Sequence, residues 1–185
     1  MKERSHCEGG FSTLELVVVV SLSIVVAGIA IPSAQNLVSN YRLIGDTSAI
    51  TSQLSLAKMR AASSYAQGQL KFDASAGTFQ IALCTTGCST SSNWTNDGPQ
   101  LTLSSGISFG YDSISAAAQP QSTISQTTPI IFNSRGYPVD SSGAATSNNA
   151  IYLTDGRGNY RAITVYADGR IATWNYQASA WTAIK

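Results

Sequence analysis

An apolar run near the N-terminus constrains this chain more than any other feature. Phe11 to Ile31 is a stretch of twenty-one residues with one charged side chain, Glu15, and four other polar ones. As an α-helix rising 1.5 Å per residue it would extend about 31 Å, which matches a bilayer hydrocarbon core of roughly 30 Å. The run therefore predicts a membrane-spanning helix.

Glu15 needs a partner, because a charge inside the bilayer costs on the order of a few kcal/mol unless it is paired or near the interface. No Lys, Arg or His follows it until Arg42, and the basic residues on its own side all precede a glycine pair. A cut after Gly10 would create an α-amino group on Phe11 at the right depth. We therefore expect Glu15 to pair with the amino terminus of a neighbouring copy of the same helix.

The order of these features resembles a known processing signal. A short polar leader ending in Gly10, then Phe11, then Glu15 as the fifth residue after the cut, resembles the class III signal of type IV pilins and type II secretion pseudopilins. In that family a prepilin peptidase cuts after the glycine and methylates the new N-terminus, so the resemblance implies processing at Gly10 and Phe11. It also implies filament assembly through Glu15, and Pro32 matches a proline common in these helices.

Two plainer explanations of the run fit less well. An ordinary secretory signal has an apolar core of roughly 7–15 residues and a small-x-small cleavage site. Here the run is longer, contains Glu15, and continues into Ile31-Pro32-Ser33-Ala34, which is a poor site. An unprocessed membrane anchor leaves Gly9-Gly10 and Glu15 unexplained.

Composition and cysteine usage favour an exported domain. Without the leader, the chain has nine Lys and Arg and eight Asp and Glu, a net charge of +1. This charge is too small to attract acidic partners over a distance. Cys7 would leave with the leader, and Cys84 and Cys88 could then close a small loop in an oxidising compartment, with Gly87 in the turn. Two free thiols are the alternative. Metal binding is disfavoured, because the chain without its leader would have two cysteines and no histidine, which make half a site at best.

Periodicity predicts a helix and then strands. The helix continues from Ser33 to about Tyr65, with one apolar stripe that we expect to bury against a sheet or a partner helix, and Pro32 could kink it. From Gln69 the period changes to two, which predicts antiparallel hairpins, including a strong turn at Asp168-Gly169. The stripe consists of Leu37, Tyr41, Ile44, Ile50, Leu54, Ala57, Ala61 and Tyr65.

The predicted fold class is α+β. It is a pilin-like fold in which a long N-terminal helix, half membrane and half amphipathic, packs on one C-terminal antiparallel sheet. The expected boundaries are 1–10 for the prepilin leader, 11–32 for the transmembrane and filament-core helix, 33–66 for the amphipathic half, and 67–185 for the β-sheet domain.

The second half of the chain narrows the resemblance. Residues 56–61, residues 131–133 with Gly136, and residues 163–165 with 168–171 resemble the H-type pseudopilins and their minor-pilin relatives, the GspH/FimT group. This implies a structural subunit of a type IV pilus or a type II secretion pseudopilus. Its partners would be other pilin or pseudopilin subunits, the prepilin peptidase and the inner-membrane assembly platform. It would begin as a single-pass protein of the bacterial inner membrane, with its C-terminal domain in the periplasm.

Catalysis is not expected, and neither is a cofactor or a metal. The processed chain would have no histidine, and its one glutamate would be Glu15. General acid–base chemistry would fall to seven aspartates, which are scattered and mostly stand beside Gly or Ser, where aspartate commonly forms turns.

DNA binding is the second functional hypothesis. Some minor pilins that this chain resembles bind DNA during uptake through basic residues near the C-terminus. Here Arg157, Arg161 and Arg170 lie on neighbouring hairpin elements with aromatic residues nearby, which would form a weak and salt-dependent patch. The alternative is that they are solvated charges that discourage pairing at a sheet edge.

Overall fold

The computed structural model describes residues 12–112 and 114–184. Its described residues fall into two compact units, one up to Val38 and one from Ser39 onward. The elements are α1 Thr13–Ser63, β1 Gln67–Asp73, β2 Thr78–Cys84, a 3₁₀ turn Ser91–Asn93, β3 Thr95–Asn96, β4 Leu101–Thr102, β5 Ser108–Phe109, β6 Ile130–Phe132, β7 Pro138–Val139, β8 Asn149–Thr154, β9 Tyr160–Val165, β10 Ile171–Gln177 and β11 Ala180–Ile184.

The C-terminal part of α1 buries one stripe of side chains. Its members follow three-, four- and seven-residue spacings, and all five are fully buried: Leu43, Ile50, Leu54, Ala57 and Ala61. Four members of the predicted stripe are not in this core: Leu37, Tyr41 and Ile44 are 56%, 65% and 37% exposed, and Tyr65 is 90% exposed and follows the end of the helix. Burial of the first three against a partner helix stays a prediction. Ile44 is six residues before Ile50, about one and two-thirds turns of helix, so it lies on a different face. Leu43 is seven residues before Ile50, close to two full turns, so it lies on the same face.

The strands form two antiparallel sheets instead of the single sheet expected. The first has the order β3-β2-β1-β6-β7, with β4 also on β2, and the second has the order β11-β10-β9-β8-β5. The predicted hairpins are confirmed, with Leu70 opposite Ile81 and Ile171 opposite Val165. The chain passes between the sheets after β4, after β5 and again after β7, and hydrophobic periodicity carries no signal for such crossings.

Both sheets share one core with α1. The buried stripe of α1 packs with side chains from β1, β2 and β6 of the first sheet and from β8 and β9 of the second. Phe72 and Phe109 stack across the two sheets with ring centroids 4.4 Å apart. The expected α+β arrangement, a long N-terminal helix packed on antiparallel strands, is confirmed.

A second cluster covers the other face of the second sheet. Tyr152, Tyr160 and Ala162 are buried there, with Trp174 and Trp181 packed against them. The part of this sheet formed by β8 and β9 is therefore covered on both faces.

Lys58 joins α1 to a turn from each sheet. Its Nζ donates a hydrogen bond to the Gly169 carbonyl oxygen at 2.9 Å, and its aliphatic stem lies against Gly136. Both glycines have positive φ, 81° and 76°, and a Cβ on Gly169 would collide with the Gly136 carbonyl oxygen. We call this arrangement the Lys58 clamp. Its three residues come from the three segments that carry the narrower family resemblance.

Candidate functional site

The first part of α1 is apolar on every side. The side chains from Leu14 to Ile31 are all exposed, and five in succession, Leu16 to Val20, are 49–62% exposed. Such a helix is stable only when lipid or other protein surrounds it. The helix is long and apolar enough to cross a membrane, as the sequence predicts.

The serines inside this part of α1 satisfy their own hydroxyl groups. Ser21 and Ser23 donate to the carbonyl oxygens of Val17 and Val19, each at 2.8 Å. A hydroxyl that donates to the i−4 carbonyl presents no free proton to hydrocarbon, which lowers the cost of placing it there. These polar side chains are therefore compatible with a bilayer.

Glu15 is different, because nothing described in the structure neutralises it. It lies in the first turn of α1, where the positive end of the helix dipole favours a carboxylate. Its side chain is exposed and forms no ion pair among the described residues. Gly10 and Phe11, the predicted processing site, lie outside the described residues, so the pairing of Glu15 with an amino terminus stays a prediction.

Pro32 does not interrupt the helix, since α1 is assigned without a break from Thr13 to Ser63. A proline has no backbone N–H, so the carbonyl oxygen four residues earlier, on Gly28, lacks its usual helical donor. An ideal Cβ on Gly28 would meet nothing within 4 Å. This stretch therefore offers an open surface with a carbonyl acceptor. The assembly role of Pro32 stays a prediction.

The predicted disulfide between Cys84 and Cys88 is present, with the two Cα atoms 5.6 Å apart. Gly87 takes a φ of +64°, which glycine adopts without strain. The loop is fixed further by Trp94, whose indole N–H donates to the Cys88 carbonyl oxygen at 3.0 Å, and by Asn93, which donates to Gly87 at 2.9 Å. It forms a stiff end to β2.

The structure does not bring Arg157, Arg161 and Arg170 into one patch. Arg157 lies in the turn between β8 and β9, and Arg170 lies in the turn between β9 and β10. These turns are at opposite ends of β9, six residues long and so on the order of 20 Å. The guanidinium of Arg170 instead stacks on the ring of Tyr166, with its Cζ 4.0 Å from the ring centroid. The preceding residue, Gly169, accepts the hydrogen bond from Lys58.

Arg161 lies between these ends and on the side of the sheet that faces α1. It lines a groove of about 260 Å³ together with Thr47 and Thr51 of α1 and Thr173 of β10. Burial lowers the pKa of its guanidinium, because the charged form loses hydration there. Sequence periodicity places Arg161 on the same face as Ile163, which is the core face, and that signal was available before the structure.

Comparisons with known proteins give limited matches. No protein-family model matches the chain, and no curated protein matches it either. Two solved structures of the minor pseudopilin EpsH from the type II secretion system of Vibrio cholerae are similar. One is 10% identical with a TM-score of 0.39, covering 77% of this chain and 96% of EpsH. The other is 13% identical with a TM-score of 0.40, covering 80% and 95%.

Proposed function

We propose that this chain is a minor pilin or pseudopilin, a structural subunit of a type IV pilus or a type II secretion pseudopilus. The observation that carries the proposal is the first part of α1, apolar on all sides with one unneutralised carboxylate, Glu15, in its first turn. A helix of this kind can lie in a bilayer and then exchange lipid for the helices of neighbouring subunits. Both surroundings remove its side chains from water.

The carboxylate of Glu15 determines which helices can replace the lipid, because it requires a cation beside it. In the membrane Glu15 is tolerated near the interface, but in a filament core of packed helices it would be costly unless a cation joins it. Cleavage after Gly10 would provide that cation as the amino group of Phe11, which the prepilin peptidase would also methylate. Each arriving subunit would then pair its own terminus with Glu15 of a subunit already in place.

The unit from Ser39 onward would be the part displayed on the filament. It combines a core shared by two sheets and α1, the Lys58 clamp and the disulfide at the end of β2. These features suit a rigid periplasmic domain that binds and assembles. The proposed topology is a single pass through the bacterial inner membrane, followed by assembly on the inner-membrane platform.

DNA uptake is the weaker proposal. A nucleic acid follows a continuous basic surface, but Arg157 and Arg170 lie at opposite ends of β9 and Arg161 is directed into a groove beside α1. Arg170 stacks on Tyr166 of the same hairpin, and this contact stabilises the turn without requiring a nucleic acid.

The test replaces Glu15 with Ala in the full-length protein produced in its native host. Membrane insertion should equal that of the wild type, because the substitution increases apolarity. Incorporation into sheared filaments should fall at least about tenfold, since loss of one ion pair of a few kcal/mol exceeds the roughly 1.4 kcal/mol that a factor of ten requires.

Ser21→Ala is the matched control, because it removes a polar group from the same helix without changing its charge. It should assemble normally. Gly10→Val should block cleavage and hold the full-length chain in the inner membrane. Normal assembly of the Glu15→Ala protein, or absence of the wild-type protein from filaments, would contradict the proposal.

A further inference from the structure

The groove that contains Arg161, in the unit from Ser39 onward, has no role in the function proposed above. Its walls are four hydroxyl-bearing residues of α1, one threonine of β10 and two isoleucines that are partly exposed: Thr47, Ser48, Thr51, Ser52, Thr173, Ile44 and Ile184. We call it the Arg161 groove. Its opening is therefore partly apolar, and its charged group is one guanidinium.

The side chain of Arg161 has no charged or hydrogen-bonded partner among the described residues. Its Nε is buried and makes no hydrogen bond, and the ion pair formed within the described part of the chain is between Arg60 and Asp97. The guanidinium is half-buried, so it has lost part of its hydration without gaining a protein partner in exchange among the described residues. A negatively charged ligand in the groove would restore the interactions that the guanidinium has lost.

The hydroxyl groups of the groove narrow the chemistry of that ligand. Thr47, Thr51 and Ser52 each donate to the carbonyl oxygen four residues earlier in α1, at 2.6, 2.8 and 2.9 Å. Their protons are therefore already used, and the guanidinium is the charged donor of the groove. A guanidinium binds both carboxylates and phosphates, and the partly apolar opening suits the methylene stem of an acidic side chain. A carboxylate requires two parallel N–H groups, which a single arginine provides.

The position of the groove indicates where that carboxylate comes from. Tyr41, Ile44, Ser48 and Thr51 follow each other at three- and four-residue spacing, so they lie on one face of α1. This face is distinct from the buried stripe and leaves Tyr41 65% exposed. The groove thus opens beside two exposed apolar side chains, Tyr41 and Ile44, which another protein chain could cover.

We propose that the Arg161 groove receives one aspartate or glutamate side chain of a neighbouring subunit. The apolar opening would hold the methylene stem of that side chain, and Arg161 would take its carboxylate. This inference rests on the proposed function, because it assumes that the chain assembles with other subunits. It adds the chemistry of the contact and its position on the domain.

The experiment places a photo-cross-linking amino acid at Ser52, which is exposed at the groove, in the full-length protein within its native host. A second protein carries the same amino acid at Met59, an exposed position of α1 that does not line the groove. Cross-links from position 52 should reach a subunit peptide that contains Asp or Glu. Arg161→Met should lower their yield at least tenfold, and Arg161→Lys should lower it less.

The controls separate charge from folding. Arg170→Met removes an exposed arginine from the same sheet and should leave the cross-link yield unchanged. Ser52→Glu, made without the cross-linker, places a carboxylate beside Arg161 within the same chain and should reduce filament incorporation, whereas Ser52→Gln should not. Protease resistance and the Cys84–Cys88 disulfide report whether each variant is folded.

The outcomes distinguish this inference from the proposed function. If the wild-type protein is absent from filaments, the proposed function fails. If it is present but Arg161→Met assembles and cross-links as the wild type does, the inference alone fails. Cross-links from position 52 to nucleic acid, to lipid or to the chain's own terminal peptide would also overturn it.

Discussion

Replacing Lys58 with Met tests how strongly one charged group holds α1 to both sheets. The Nζ of Lys58 donates to the carbonyl oxygen of Gly169, which is buried, at 2.9 Å. A hydrogen bond from a charged donor contributes about 1.5–3 kcal/mol, and its loss leaves a buried acceptor unsatisfied. Met keeps most of the aliphatic stem that lies against Gly136, so the change isolates the ammonium group.

We expect the free energy of unfolding to fall by about 2 kcal/mol, because Lys58 is only partly buried and water can replace some of the lost bond. For a folded unit of this size, each kcal/mol shifts the melting temperature by roughly 2–4 °C. The predicted decrease is therefore about 4–8 °C, measured by near-ultraviolet circular dichroism of the full-length protein in detergent.

Lys71→Met is the control, because Lys71 is an exposed lysine on β1. Its effect should stay within about 0.5 kcal/mol. If the two variants melt together, the ammonium group does not stabilise the clamp, and the contact between the Gly136 and Gly169 turns would have to rest on packing alone.

Two further substitutions test the core. Gly68→Ala would place a Cβ 2.5 Å from the Ala57 carbonyl oxygen, so we expect a loss of about 1–3 kcal/mol in urea unfolding; wild-type stability would show that α1 and β1 can separate at no cost. The Tyr152 hydroxyl accepts from the Ala118 N–H at 3.1 Å and donates to Gln121 at 2.7 Å, and burial raises its pKa above 10.0. The protonated hydroxyl therefore contributes stability below pH 10, and this contribution is lost as the pH rises toward the folded-state pKa. Tyr152→Phe should lower the free energy of unfolding by about 1–3 kcal/mol at pH 7. It should also flatten the decline in melting temperature at alkaline pH. If the melting temperature of Tyr152→Phe falls as steeply at alkaline pH as that of the wild type, another group causes the decline.

Local patterns in the sequence predict the elements of this fold well. The apolar run, the Asp168-Gly169 turn and the hairpin of β1 and β2 each depend on neighbouring residues, and all three are present. The disulfide is also local, since only four positions separate its cysteines. These features require no knowledge of which distant segments meet.

Non-local features were predicted less well. The single expected sheet became two, because the pairing of β6 with β1 depends on a contact between segments about sixty residues apart. The arginines looked adjacent because their hairpins are consecutive, but a strand separates its two turns by its own length. The stripe on α1 was displaced from Leu43 to Ile44, since both residues are apolar and only packing decides between them.

The apolar half of α1 has a consequence for symmetry. Branched aliphatic side chains surround the helix, so turning it about its own axis exchanges one such surface for another at little energetic difference. Dispersion and burial alone therefore specify no rotational orientation for this segment in a bilayer or a bundle. Glu15 is the one charged group among the described residues of this segment, and it breaks this equivalence far more strongly than Ser21, Ser23 or the open surface at Gly28. A bundle of such helices would take its rotational alignment from a single carboxylate, and exchanges among Val, Leu and Ile would leave that alignment unchanged.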